Sequence, residues 1–128
     1  DIVVIAPSNP LMSIEPILQI GGVKAALANA TAPRIAVSPF VGGRALKGPA
    51  DRMLRSLGHK PSTSFIANHY MGLIDTLVVE HTDVETQIID GVRIEGASTV
   101  MSSLEIKTTL AERLIELCQA TQLSGSAA

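Results

Sequence analysis

Between residues 34 and 60 the sequence gathers basic side chains around a segment rich in glycine and proline, and Asp51 is the only acid in that span. The basic residues there are Arg34, Arg44, Lys47, Arg52, Arg55 and Lys60. Gly42 and Gly43 permit close approach of the backbone to a ligand, and Lys47 can donate charge-assisted hydrogen bonds. Gly48 and Pro49 precede a helix candidate, whose first N–H groups favour an anion. The pattern is typical of a phosphate site.

A second polar segment, residues 7–13, offers Ser8, Asn9 and Ser13 directly before another helix candidate. Hydroxyl and amide groups at that place could hold a base, a ribose or a phosphate. Asn9 could equally form only a turn with the following proline, and Ser13 could serve only as a helix cap. The basic segment has the same ambiguity, because Asp51 would compete with a ligand for the N–H groups of its own helix.

Other chemistry-bearing residues are scattered. His81 stands at a predicted strand end beside Asp83 and could line a crevice, whereas His69 is expected to pack or to be exposed on a helix. His59 has no evident partner in the sequence. Glu80 and Asp83 could bind a metal, but a third ligand is missing. Neither glycine-rich segment matches a P-loop or a dinucleotide fingerprint.

The elements that would position these residues alternate between strands and helices. Strands are predicted at 2–6, 34–38 and 74–79, with a fourth, edge strand in which Val92 and Ile94 alternate with polar residues. The first run is β-branched from Ile2 to Ile5, which suits burial on both faces. Two helices are predicted between the second and third strands, one ending at Gly58 and one opening at Ser62. Such connections predict parallel βαβ units, an α/β class, and loops that meet at the carboxyl ends of the strands.

Two further helices are predicted from capping residues. Asp83 is expected to cap a short helix that runs through Ile89, and residues 90 and 91 are expected to form a turn. Ser102 and Glu105 form a capping box for the last helix, with Met101 stapled against Ile106. Its apolar face is expected to carry Ile106, Leu110, Leu114 and Leu117, with Cys118 on the same side.

Length and composition predict a single α/β domain, or the C-terminal part of one, over residues 1–123, with a flexible tail at 124–128. The net charge of −2 argues against nucleic-acid or anionic membrane partners. The single cysteine excludes an intrachain disulfide and, with no signal-like segment, predicts a cytoplasmic protein. The sequence leaves a homodimer possible. The start at Asp1, directly before a strand, suggests a piece of a longer chain.

Two segments carry a combination of residues that is specific when taken together. They are Ser8-Asn9-Pro10 with Ser13-Ile14-Glu15-Pro16-Ile17-Leu18, and Val37-Ser38-Pro39-Phe40-Val41-Gly42-Gly43-Arg44-Ala45-Leu46-Lys47-Gly48-Pro49-Ala50-Asp51. Together they resemble the 2-phospho-L-lactate transferase family of coenzyme F-420 biosynthesis. The similarity is close over residues 1 to about 60 and looser beyond, where Thr99 and Met101 form a weaker motif.

The resemblance implies a Rossmann-like, three-layer enzyme with a mainly parallel sheet. Such an enzyme transfers a phospholactyl or phosphoenolpyruvyl group from a guanosine diphosphate-linked donor to the hydroxyl of a deazaflavin precursor, releasing GMP with the help of Mg²⁺. It makes the first segment a candidate for the nucleotide or its diphosphate and the second a candidate for the phosphate or deazaflavin side. These candidate residues are Ser8, Asn9, Ser13, Gly42, Gly43, Lys47 and Gly48.

The chain departs from the family pattern at two positions, because Glu15 replaces an expected small residue and Ser98 an expected aspartate. The family's N-terminal half, with a glycine-rich nucleotide loop and acidic metal ligands, has no counterpart here. The sequence therefore predicts part of an active site, no metal ligands, an unidentified catalytic base, and no turnover by this chain alone.

Two other function classes compete with the transferase. One is a non-catalytic regulator that binds a nucleotide or nucleotide-sugar, like the related gluconeogenesis-factor family, which shares a similar first loop. The other is an interaction module whose sheet edge docks a further domain. The combination of Lys47, Gly48 and Pro49 favours the transferase over both.

Overall fold

A five-stranded sheet forms the centre of the computed structural model, which describes residues 1–127, with side chains described for residues 1–121. Four strands are parallel and one edge strand is antiparallel, in the order β1-β2-β5-β7-β6. The strands are β1 (Val3–Ile5), β2 (Arg34–Val37), β3 (Phe40–Val41), β4 (Arg44–Ala45), β5 (Thr76–Glu80), β6 (Ile88–Ile89) and β7 (Val92–Ala97). The predicted α/β class with a mainly parallel sheet is confirmed.

Five α-helices connect or cover the strands. They are α1 (Glu15–Leu18), α2 (Val23–Ala28), α3 (Ala50–Ser56), α4 (Thr63–His69) and α5 (Leu104–Ala127). A π-helical turn, Pro10–Ile14, leads into α1, and a 3-10 turn, His81–Asp83, follows β5. The two helices predicted between the second and third strands of the sheet are α3 and α4, and Gly58 follows α3 with the positive φ of 83° expected of a helix stop.

Apolar side chains pack on both faces of the sheet, which makes three layers. Alternation along the strands sends Ala36 and Leu77 to one face, where they meet α1, α3 and α4. It sends Ile35, Val37 and Val78 to the other face, where they meet Leu110, Leu117 and Cys118 of α5. The predicted apolar side of α5 is therefore confirmed at the residues that touch the sheet.

The burial predicted for the first strand is wrong. β1 lies at the edge of the sheet, and Val4 keeps 44% exposure. The edge position predicted for the fourth strand is also wrong, since β7 lies between β5 and the two-residue β6. The alternation in β7 is confirmed, with Val92 and Ile94 buried and Arg93 exposed.

Three predicted helix starts are wrong. Asn9 rather than Ser13 caps the first helical segment, through its side-chain oxygen. No helix follows Asp83, because residues 88–93 form a hairpin whose turn is Asp90 and Gly91, both at positive φ. The last helix begins one residue later than the capping box requires, since the Ser103 hydroxyl accepts from the Ile106 N–H at 3.2 Å.

The predicted tail at 124–128 concerns residues whose side chains lie outside the described part of the structure, and it stays a prediction. Within residues 1–127, none of the helices is both long and apolar enough to cross a membrane.

Candidate functional site

A cleft of about 940 Å³ opens at the carboxyl ends of the parallel strands. Its walls come from three segments: residues 7–13 after β1, residues 38–53 after β2, and residues 99–107 after β7. Loops at this end of a parallel sheet converge on a common crevice, as the sequence predicted. None of residues 80–83 after β5 lines the cleft, although the sequence suggested that His81 could do so.

The first wall is organised by Asn9. Its side-chain oxygen accepts from the N–H groups of Leu11 and Met12, at 3.0 and 3.1 Å, which satisfies two donors of the π-helical turn. Its side-chain nitrogen lies 3.7 Å from the sulfur of Met53 in α3. Ser8 and Ser13 line the cleft beside it, so the three side chains predicted from this segment do lie together.

The second wall contains a small hairpin that the sequence did not reveal. β3 and β4 pair antiparallel, and Gly42 and Gly43 form their turn with φ of 59° and 77°. Two successive positive φ values define a tight hairpin turn, which explains the glycines. These two glycines do not line the cleft. Their contact with a ligand stays a prediction, and their position in the fold does not support it.

The strand after that turn leads directly into the cleft. Ala45, Leu46, Lys47 and Gly48 follow one another along the wall, and Ala50 begins α3. Asn9 and Lys47 therefore face one cleft, as a shared binding site for an anion requires. Asp51 lies in the first turn of α3 and does not line the cleft.

The third wall carries the weaker downstream motif. Thr99 is buried, and its N–H and its hydroxyl both donate to one oxygen of Glu80, at 2.8 and 2.9 Å. Met101 and Ser102 follow on the wall, and Lys107 reaches it from the start of α5. Lys107 was not among the predicted site residues, because nothing in its local sequence distinguishes it from a solvated helix lysine.

The charge of the cleft is one-sided. Lys47 and Lys107 line it, and no aspartate or glutamate is among the residues that line it in the described part of the chain. Two ammonium groups at a crevice whose described lining residues include no carboxylate attract an anionic ligand. The cleft also presents the sulfur-bearing side chains of Met12, Met53 and Met101 together with prolines, which offer apolar, polarisable surface.

The basic residues counted from the sequence do not form one cluster. Arg34 lies at the amino end of β2, where it pairs with Asp75 at 2.8 Å and donates to the carbonyls of Leu27 and Ala28. Arg55 donates to the carbonyl of Gly43 at 3.2 Å, outside the cleft. Of the six basic residues between 34 and 60, Lys47 is the one that lines it.

The histidines lie away from the cleft. His81 is exposed and packs beside Gly96 of β7, so it does not line the crevice, a place that the sequence had left open for it. His69 packs against Phe65, with ring centroids 5.7 Å apart, and its Nε2 lies 3.2 Å from a Glu15 oxygen. The unexpected Glu15 thus contacts α4. A hydrogen bond from Gln19, aided by Lys24 and His69, lowers the pKa of Glu15.

Glu80 and Asp83 do not form a metal site. The Glu80 carboxylate holds Thr99, whereas the Asp83 carboxylate accepts from the Gly42 N–H at 3.0 and 3.2 Å. Among residues 1–121, no three histidine, cysteine, aspartate or glutamate side chains come together in a way that could hold a metal ion.

Comparison with known proteins agrees with the sequence motifs. The family model of 2-phospho-L-lactate transferase CofD matches residues 1–121. A 2-phospho-L-lactate transferase of Methanocaldococcus jannaschii is 36% identical over 118 residues, which are 92% of this chain and 37% of that protein. A phosphoenolpyruvate transferase of Streptomyces griseus is 32% identical over 123 residues, 93% of this chain and 39% of that protein.

A phosphoenolpyruvate transferase of Mycolicibacterium smegmatis is 34% identical over 122 residues, covering 91% of this chain and 37% of that protein. The chain thus spans less than two fifths of the length of these curated relatives. The family match extends through the strands, the cleft walls and α5, well beyond the two segments that carried the resemblance. The chain belongs to the 2-phospho-L-lactate transferase family.

Proposed function

We propose that this chain supplies part of the active site of a transferase of coenzyme F-420 biosynthesis. The reaction moves a phospholactyl or phosphoenolpyruvyl group from a guanosine diphosphate-linked donor to the hydroxyl of a deazaflavin precursor. The observation that carries the proposal is the cleft that Lys47 and Lys107 line without a carboxylate, in a chain of this family.

In the proposed reaction the hydroxyl oxygen of the acceptor forms a bond to the phosphorus that bears the three-carbon acid. The bond from that phosphorus to the bridging oxygen breaks, GMP leaves, and the hydroxyl proton is released. Phosphoryl transfer depends mainly on positioning and on neutralisation of charge. Lys47 and Lys107 would supply that neutralisation, because each is a compact cation with three donors.

Asn9, Ser8 and Ser13 would hold the nucleotide side of the donor. The oxygen of Asn9 is already used in capping, so its remaining capacity toward a ligand is its amide N–H₂ group. The planar acceptor ring would rest on Met12, Met53 and Met101, since aromatic residues form only 2% of the chain.

The described residues offer no metal cluster, so no step of this reaction is assigned to magnesium in this chain. The resemblance to the family assigns the metal ligands to a part of the enzyme that this chain does not contain. We therefore expect this chain to bind ligands without turning them over.

The test uses two proteins, the 128-residue chain and the complete protein encoded by the gene. Calorimetry with GDP and fluorescence titration with the deazaflavin precursor measure binding, and chromatography of GMP measures transfer. We expect GDP binding by both and transfer by the complete protein alone. Transfer by the 128-residue chain would refute its assignment as a partial site. A complete protein that binds GDP but neither binds the deazaflavin nor releases GMP would instead be the non-catalytic regulator.

A further inference from the structure

Residues 80–83, at the end of β5 and just after it, do not line the cleft. They contact two of the three walls, however. Glu80 holds the wall after β7 through the N–H and hydroxyl of Thr99. Asp83 holds the hairpin of the second wall through the N–H of Gly42. Glu80 ends β5, the middle strand of the sheet, and Asp83 follows three residues later.

Each wall that is held carries one of the two cleft lysines. Thr99 begins the segment that leads into α5 and Lys107. The Gly42 turn joins β3 to β4, and Lys47 lies two residues beyond the end of β4. The other side of that turn is held by Arg55, which donates to the Gly43 carbonyl. The β3–β4 turn is therefore held by Asp83 through its N–H group and by Arg55 through its carbonyl group.

Contacts with α4 and with β7 also hold this segment in place. Thr63 donates from its hydroxyl to the Asp83 carbonyl at 3.2 Å, which ties the turn to α4. Gly96 of β7 lies so close that an added Cβ would come within 3.1 Å of His81 and Val84. The bond to α4 and the contact with β7 therefore both hold residues 81–84 in place.

We infer that Glu80 and Asp83 are positioning residues that set the placement of Lys107 and Lys47 across the cleft. Neither carboxylate faces the ligand; each acts through a hydrogen bond to one wall. The inference rests on the proposed function, because it concerns how the same cleft presents its cations to a diphosphate.

The inference can be tested by removing each carboxylate, because a positioning role and simple electrostatics predict opposite changes in the affinity for an anion. Removing a carboxylate near the cleft leaves it more positive, which by field alone would strengthen binding of an anion. A positioning residue has the opposite effect, since its loss frees the wall that carries a lysine. The variants are Glu80→Ala and Asp83→Ala, with Glu80→Gln and Asp83→Asn as conservative forms that keep an acceptor oxygen. Glu85→Ala is the matched control, because Glu85 is exposed in the same stretch.

We expect Glu80→Ala and Asp83→Ala to weaken GDP binding by about tenfold, the effect of losing one well-placed charge-assisted hydrogen bond. The conservative forms should recover part of that loss, and Glu85→Ala should bind GDP as well as the wild type or better. Circular dichroism melts identify any variant that fails to fold. Equal or tighter GDP binding by folded Glu80→Ala and Asp83→Ala would overturn the inference.

Double-mutant cycles separate positioning from general loss of structure. Glu80→Ala should couple to Lys107→Ala, and Asp83→Ala to Lys47→Ala, each by about threefold or more, whereas the crossed pairs should be additive. A general structural defect would couple equally to both lysines, and that pattern would refute the assignment. If the wild type binds neither GDP nor pyrophosphate, the proposed function fails. Hydrogen exchange then decides the inference: Glu80→Ala must speed exchange at 98–102 alone, and Asp83→Ala at 40–45 alone.

Discussion

The side chains of Asn9 and Met53 meet in the cleft, with 3.7 Å between the amide nitrogen and the sulfur. This contact joins the segment after β1 to helix α3, although the two lie far apart in the sequence. The same asparagine caps the π-helical turn. One residue thus serves both the local structure of the first wall and its contact with the second.

The two uses of Asn9 can be separated by substitution. Asn9→Ala removes the cap and should lower the free energy of unfolding by about 1 kcal/mol. Asn9→Asp keeps a capping oxygen, so stability should stay near that of the wild type, but the new negative charge in the cleft should weaken GDP binding. Urea unfolding and calorimetry measure the two quantities. Equal GDP affinity of Asn9→Asp and wild type would show that Asn9 lies away from the bound anion.

Lys47 is expected to contact the diphosphate directly. Lys47→Ala should weaken GDP binding by roughly tenfold to a hundredfold, because a hydrogen bond to a charged group contributes about 1.5 to 3 kcal/mol. Its control is Lys60→Ala, since Lys60 is exposed and does not line the cleft. Calorimetry at fixed ionic strength gives both affinities. The same loss in both variants would mean that only net charge matters.

Arg34 is expected to act on stability and not on binding. Its guanidinium pairs with Asp75 at the amino end of the strands, and the Arg34 side chain is only 15% exposed. Arg34→Met should lower the free energy of unfolding by about 2 to 3 kcal/mol, less than for a fully buried pair, because Asp75 keeps 32% exposure. GDP affinity of the folded variant should be unchanged.

Denaturant titration of Arg34→Met beside Arg52→Met, an exposed arginine, measures the difference. A loss of GDP binding in folded Arg34→Met would indicate that Arg34 belongs to the binding site. It would contradict the placement of Arg34 at the opposite end of the sheet.

Tyr70 should make the protein less stable in alkali. Burial, aided by the negative charge of Glu15, raises the pKa of Tyr70 well above its ordinary value of 10.0. Because the folded state resists loss of this proton, the stability from Tyr70 is complete below pH 10 and is lost as pH rises toward the folded pKa. Since the chain has one tyrosine, tyrosinate absorbance reports this group alone.

The control for this effect is Tyr70→Phe, whose unfolding free energy should fall less steeply above pH 10 than that of the wild type. The difference between the two profiles removes the contribution of lysines that titrate in the same range. Ionisation of Tyr70 at its ordinary pKa in the folded chain would contradict its burial against α1 and the sheet.

Most of the strands and helices could be predicted because strand runs, helical spacing and capping residues are short patterns within the sequence. β-branched runs gave β2 and β5, helical spacing with Gly58 gave α3, and Ser62 gave the start of α4. The wrong helix after Asp83 has the same origin. An aspartate before a short apolar stretch fits a cap equally well, and only pairing with β7 made residues 88 and 89 a strand.

The sequence by itself determined that the chain is α/β, that its motifs resemble those of the 2-phospho-L-lactate transferase family, and that Ser8, Asn9, Ser13, Lys47 and Gly48 stand between a strand and the α-helix that follows it. The tertiary structure decided which of the cations share a cleft. It moved Arg34 to the far end of the sheet, brought in Lys107 from α5, and turned Glu80 and Asp83 toward the walls. The reason is that charge is read residue by residue along a chain, whereas a binding site depends on which strand ends lie side by side, and strand order is set by packing across the whole sheet.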